Sequence, residues 1–222
     1  MTGRQCAVPS CGAATAGHST LCERHKRTQR RHGHPEQEGI TVQGLKPYRI
    51  RVQARQTKNT DSPGWPLLAQ RWAALVASAS GTVSASLKGM AQVTYIVKAA
   101  EQMQLIGTTV QPGEVIETAL AMFLMREERP GQFRSDRAFS FELARRVRGL
   151  TDGHAGTHWD AKAGKVRRVY RDVTPRTMEV LASQLATAFG GAGLFMAGLE
   201  RVELEKAQTE RRSLSKALGE LK

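Results

Sequence analysis

The sequence predicts a mainly α-helical protein with small β elements, built as an N-terminal zinc module, a helical core and a basic β-hairpin. Three observations carry this reading. All three cysteines and four of the six histidines fall within residues 6–35. Apolar residues then recur at three- and four-residue intervals through the middle of the chain, the period of helices with one buried face. The third is charge: a net +13, concentrated in two blocks.

Within residues 6–35, Cys6, Cys11, Cys22 and His25 form C-x4-C-x10-C-x2-H, two short-spaced pairs separated by a loop. That spacing lets sulfur and nitrogen donors close a tetrahedron around zinc. An odd number of cysteines argues against a disulfide framework, and clustered thiols beside a histidine indicate metal in a reducing compartment. His18, His32 and His34 are alternative fourth ligands, with His25 favoured by its spacing from Cys22. Gly12 and Gly17 suit tight turns, and Leu21 packs beneath the site. From Cys22 onward the chain reads as a short helix ending at Gly33, presenting Lys26, Arg27, Arg30 and Arg31 to phosphates.

The ligand spacing followed by K-R-T-Q-R-R-H-G-H-P resembles the small CCCH zinc module of phage and plasmid nucleic-acid-binding proteins, in which an Arg-rich helix and a G-x-P stop follow the last ligand. Here that stop is Gly33-His34-Pro35. The resemblance spans about 30 of the 222 residues and implies nucleic-acid binding. A fainter resemblance links the chain to the zinc-finger large-subunit-like protein of type IV CRISPR effector complexes, without a diagnostic motif.

Residues 36–61 change character. Ile40-Thr41-Val42 and the run Tyr48-Arg49-Ile50-Arg51-Val52 alternate as half-buried strands do, with Gly44 and Pro47 marking the connection. Such a strand buries Tyr48, Ile50 and Val52 and turns Arg49 and Arg51 outward, continued by Arg55 and Lys58, to touch a sugar-phosphate backbone. A flexible linker is the alternative.

Ser62-Pro63 is a helix start, and Trp65, Leu68, Trp72, Leu75 and Val76 form a buried stripe reaching about Ser80-Gly81. A second helix is expected from about Leu87 to Ile106, burying Met90, Val93, Ile96, Val97, Ala100 and Met103, with Gly107 as cap. The third runs from Pro112 towards Pro130-Gly131. A fourth covers residues 135–149, its stripe being Phe139, Leu143 and Val147, with Arg145, Arg146 and Arg148 off it. A hairpin follows: His158-Trp159-Asp160, a turn over Ala161 to Gly164, then Lys165 to Arg171. Helix and hairpin resemble the recognition helix and wing of winged-helix proteins in outline, setting Arg145, Arg146, Arg148, Lys165, Arg167, Arg168 and Arg171 against backbone phosphates. A fifth helix starts at Thr174-Pro175 and stops at Gly190-Gly191, and residues 199–222 read as a separate charged helix. The domain plan is thus a module at 1–35, a basic strand segment or linker at 36–61, a helical domain at 62–198 with its hairpin at 158–173, and the terminal helix.

Residues 1–61 hold 11 Lys/Arg against 4 Asp/Glu, and residues 134–178 hold 11 against 5, whereas 62–133 and 179–222 are balanced at 5 against 5 and 6 against 6. Two basic blocks favour a polyanionic partner. The reading is a non-enzymatic zinc protein that binds nucleic acid, double-stranded DNA above RNA, as a subunit of a larger nucleoprotein complex. A stand-alone regulator of a mobile element is the alternative, and a metal-dependent nuclease using Asp152, His154, His158 and Asp160 is a lesser one. No phosphate-cradling Gly-Lys-Ser/Thr loop or G-x-S-x-G elbow is present. No apolar run approaches a membrane span and the first residues lack a secretory core, so a cytoplasmic location without a membrane partner is expected.

Overall fold

A computed structural model describes residues 4–220, leaving aside the side chains of residues 154–155, 167–170 and 217–220. In chain order the elements are α1 (Glu23–His32), α2 (Val42–Lys58), α3 (Gly64–Leu87), α4 (Thr94–Thr109), α5 (Pro112–Glu128), α6 (Asp136–Arg148), β1 (Ala155–Asp160), β2 (Lys165–Tyr170) and α7 (Pro175–Glu220). The expected mainly α fold with small β elements is what forms.

The core is built around α5, in which every residue from Val115 to Met125 is buried. A helix apolar on all sides has to be surrounded, and α2, α3, α6 and α7 pack around it, with α4 paired against α3. Aromatic rings lock the layers edge to face: Phe123 of α5 meets Phe139 of α6 at 5.1 Å between centroids, and Phe133 meets Phe139 at 5.2 Å. Ser135 caps α6 by accepting the Ala138 N–H.

The strands expected at residues 40–42 and 48–52 do not form. That stretch is α2, with Thr41 as its cap accepting from the Gly44 N–H at 2.9 Å. Leu45, Tyr48 and Val52, spaced i, i+3 and i+7, face the core, and Ile50 is turned out to solvent. The alternation of Tyr48, Ile50 and Val52 was coincidental, and Pro47 lies inside the helix instead of marking a connection. α3 runs past Gly81 to Leu87, α4 begins only at Thr94, and it continues through Gly107. Met90 and Val93, expected in the core, are therefore exposed near the α3–α4 turn.

The fifth and terminal helices are one continuous helix. Gly190 and Gly191 do not stop α7, which continues through them; its close crossing with α5 falls at Gly193, where a Cβ would lie 2.6 Å from the Phe123 side chain. By length and composition alone, Pro175–Lys216 is apolar enough to cross a membrane, but half of its most apolar window is buried inside the fold. Beyond residue 200 the helix projects, exposed through residue 216.

Candidate metal centre and basic surface

The N-terminal module has its own small core of Cys6, Val8, Leu21 and Cys22, with Cys11 against it. Its loops are pinned by backbone hydrogen bonds: Cys6 N–H to Ala13, Ala7 N–H to Thr20 and Ala16 N–H to Leu21. Ser10 and Gly17 take left-handed conformations at the turns. Cys22 occupies the N-cap position of α1 without its sulfur capping the helix, and His25 follows in the first turn. The C-x2-H spacing therefore sets both donors at one helix start, where the dipole favours a thiolate.

The four donors converge as the sequence predicts, all within 4.8 Å of one another. Cys6 Sγ and Cys22 Sγ lie 3.3 and 3.4 Å from His25 Nδ1, and Cys11 Sγ lies 3.8 Å from Cys22 Sγ. Tetrahedral zinc, with Zn–S of about 2.3 Å and Zn–N of about 2.0–2.1 Å, sets its ligand atoms about 3.8 Å apart for S···S and about 3.6 Å for S···N. The cluster fits that geometry, and all three thiols are free.

Burial alone would push the Cys6 thiol up. Backbone hydrogen bonds from Cys22 and Val8, with the His25 and Cys22 side chains, hold it down at about 6. Amides aimed at sulfur favour the thiolate that a metal requires. Cys11 is raised, since burial and the neighbouring Cys22 and Cys6 thiols outweigh the lowering hydrogen bond from the Ala13 backbone.

The competing histidines have other places. His32 donates from Nδ1 to the buried Glu142 at 2.5 Å, and the other Glu142 oxygen accepts the Ile40 N–H at 2.7 Å. His34 Nδ1 accepts the Glu36 N–H, and His18 is exposed. The His32–Glu142–Ile40 junction joins the module to α6. Gly33 completes it: its φ of +81° ends α1, and a Cβ there would lie 2.8 Å from the Arg137 carbonyl oxygen.

The basic residues divide into two kinds. Arg49, Arg51 and Arg55, expected to face phosphates, are turned onto carboxylates of the fold. Arg49 pairs with Glu117, Arg51 with Glu128 and Glu200, and Arg55 with Glu200 and Glu203. A helix, unlike the expected strand, aims these side chains at α5 and α7. Arg148 is also withdrawn: it is buried and donates to Gln102 Oε1 and to the Arg171 carbonyl. Burial, then the Arg145 charge, lower it to about 10 against the opposing pull of Asp172, so it remains charged at neutral pH. Arg145 lies 3.6 Å from Glu142, and Arg146 is half-buried beside α2 and α5. The α6 arginines thus serve the body more than a surface.

The second kind is exposed. Lys26, Arg27, Arg30 and Arg31 lie along α1, Lys58 ends α2, and Lys162, Lys165 and Arg171 lie on or beside the hairpin. Arg31 donates to Asp172, just past β2, at 2.8 Å. This contact, which the sequence could not reveal, sets the Arg-rich helix beside the root of the basic hairpin. The side chains of Arg167 and Arg168 lie outside the described residues.

The hairpin forms with the expected turn, and Asp160 Oδ1 accepts the Lys162 and Ala163 N–H groups. That turn contact gives Asp160 a local role, and the His154 side chain is outside the described set, so the 152–160 cluster is not assembled as a metal site among the described residues. Trp159, to which the sequence assigned no function, is 59% exposed. Its position opposite Val166 across a short turn was the available signal.

Fold and site together define a mainly helical protein carrying a Cys3His cluster able to hold a metal ion. No family model, curated protein or solved structure matches the chain.

Proposed function

We propose that this is a non-enzymatic, zinc-containing nucleic-acid-binding protein that grips the phosphate backbone, double-stranded DNA in the first instance. The observation that carries the reading is the Arg31–Asp172 pair. Residues 141 positions apart bring the exposed cations of α1 next to the hairpin, so two basic blocks of the sequence become neighbours. Neighbouring cations on two elements suit the phosphates of a duplex, which recur about every 3.4 Å of helix axis along each strand and supply a large share of the affinity of such complexes. The metal's contribution is structural: it fixes the start of α1 and hence the direction in which the arginines point.

Binding is to be measured as affinity for a short duplex against salt. Wild-type affinity is expected to fall steeply, and replacing Lys26, Arg27 and Arg30 together by Ala is expected to lower the log–log slope by about 2–3, as loss of about three phosphate contacts requires. An unchanged slope and affinity in that variant would remove α1 from the interface.

We further infer that the protein works as a subunit of a phage- or plasmid-borne nucleoprotein complex. Support comes from the projecting end of α7, about 30 Å of helix at 1.5 Å per residue, which carries exposed Val202, Leu204 and Leu214. Purification from the native host is the check: a chain recovered without other subunits counts against it.

A further inference from the structure

We propose that Trp159 is a stacking platform for an unpaired nucleobase, making single-stranded nucleic acid a ligand of the hairpin; this rests on the nucleic-acid reading above. In the β1–β2 register Trp159 sits directly opposite Val166. Residues paired in this way share one face of the ribbon, and the two are 59% and 60% exposed. The hairpin's main contacts are between its own strands, so it stands off the helical body. By contrast, Trp72 is buried at 2% exposure and packs against Phe189. A large ring left in water on a projecting ribbon gives the fold little.

The surroundings select the occupant. Residues 155–171 carry Lys162, Lys165, Arg167, Arg168 and Arg171 against a single acid, Asp160. Lys162, Lys165 and Arg171 are exposed. One aromatic face with a neighbouring apolar residue is far too small for a stable protein interface, which needs about 800 Å² from each partner. It is the right size for one base, and the cations around it suit the flanking phosphates. Within a duplex the bases are already stacked on one another, so the ring has access to a base only where the strands are open.

The test is fluorescence anisotropy on the zinc-loaded full chain at about 50 mM salt, where phosphate contacts are weakly screened. The probes are an oligothymidylate and an oligouridylate of about 20 nucleotides, long enough for one site, and a duplex of the same length. Trp159→Ala is expected to weaken single-strand binding about tenfold or more, the loss of one stacked base, and to leave duplex affinity and the salt slope unchanged. Trp159→Phe retains most of the affinity. Val166→Ala removes the cross-strand neighbour and keeps the ring, so it retains binding too. The relative affinities of the two oligomers identify DNA or RNA as the source of the strand.

Trp159→Ala binding the oligomers as tightly as the wild type would overturn the proposal while leaving the backbone-gripping surface standing. Equal losses in Trp159→Ala and Val166→Ala would also overturn it, since the ring would then only hold the hairpin together. Trp159-dependent binding to phosphatidylglycerol vesicles with none to the oligomers would assign the hairpin to a lipid surface. A wild type that binds neither duplex nor single strand would overturn this inference and the proposed function together.

Discussion

The helices α1 and α2 are neighbours in the chain, both rich in arginine, and they use that charge in opposite ways. In α1 no residue is buried, and Lys26, Arg27 and Arg30 extend from a helix held by the ligand cluster at one end and by His32 and Gly33 at the other. In α2 the arginines lie over Glu117, Glu128, Glu200 and Glu203, fastening α5 and α7 to the helix between them. Formal charge and charge available to a partner are different quantities. Much of the excess on residues 1–61 that looked uniform along the sequence is neutralised in α2 and open to solvent in α1.

The sharpest way to break the contrast is to remove what holds α1. In Cys11→Ala and Cys22→Ala variants, metal analysis is expected to fall from about one zinc per chain to near zero, and amide exchange protection over residues 4–33 to be lost, because so small a core does not fold without its metal. The helical body rests on its own much larger cluster and should keep its protection. Zinc near zero in the wild type, or uniform loss of protection through the body, would end the view of two separately supported parts.

A direct exchange of roles comes next. The Lys26, Arg27 and Arg30 triple-Ala variant should lose about tenfold or more in nucleic-acid affinity at low salt with its melting temperature unchanged. An Arg51→Ala, Arg55→Ala variant should do the reverse, keeping affinity and losing about 1–3 kcal/mol of stability. Partly exposed ion pairs contribute less than 1 kcal/mol each, but this network leaves Glu200, only 17% exposed, without its partners. Equal affinity losses in the two variants would mean that α2 reaches the ligand after all.

How much of this was legible in the sequence follows from the range of each interaction. The ligands and α1 were readable because Cys22 and His25 lie within one helical turn and Cys6 and Cys11 within one loop. α5 and α6 were readable from the period of their apolar residues, and the hairpin from its turn. α2 was not, since Tyr48, Ile50 and Val52 alternate as a strand would, and only the packing of Leu45, Tyr48 and Val52 against the core selects the helix. Gly190-Gly191 looked like a stop, yet α7 runs through the pair, and the glycine whose smallness the fold uses is Gly193, against the side chain of Phe123 in a distant part of the sequence. The fate of Arg51 and Arg55 was hidden for the same reason: their partner Glu200 lies 149 and 145 residues further on.

That same long-range network gives the smallest effect and the only one set by pH. Burial alone would raise the Glu200 carboxyl, but hydrogen bonds and charge from Arg51 and Arg55 outweigh it and hold the group below its ordinary value. A carboxyl lowered in the folded state binds fewer protons there than in the unfolded chain, so stability rises with pH across its titration. The contribution is complete above the ordinary glutamate value of about 4.3 and is lost as pH falls through the lower, folded value. Urea midpoints of the wild type and of Glu200→Gln should therefore differ most at neutral pH and converge as the solution is acidified below about pH 4. Salt should narrow the neutral-pH gap, because part of the network is exposed. A gap that stays constant from neutral to acid pH would show that Glu200 acts through packing, and α2 would then be anchored to α7 by shape instead of charge.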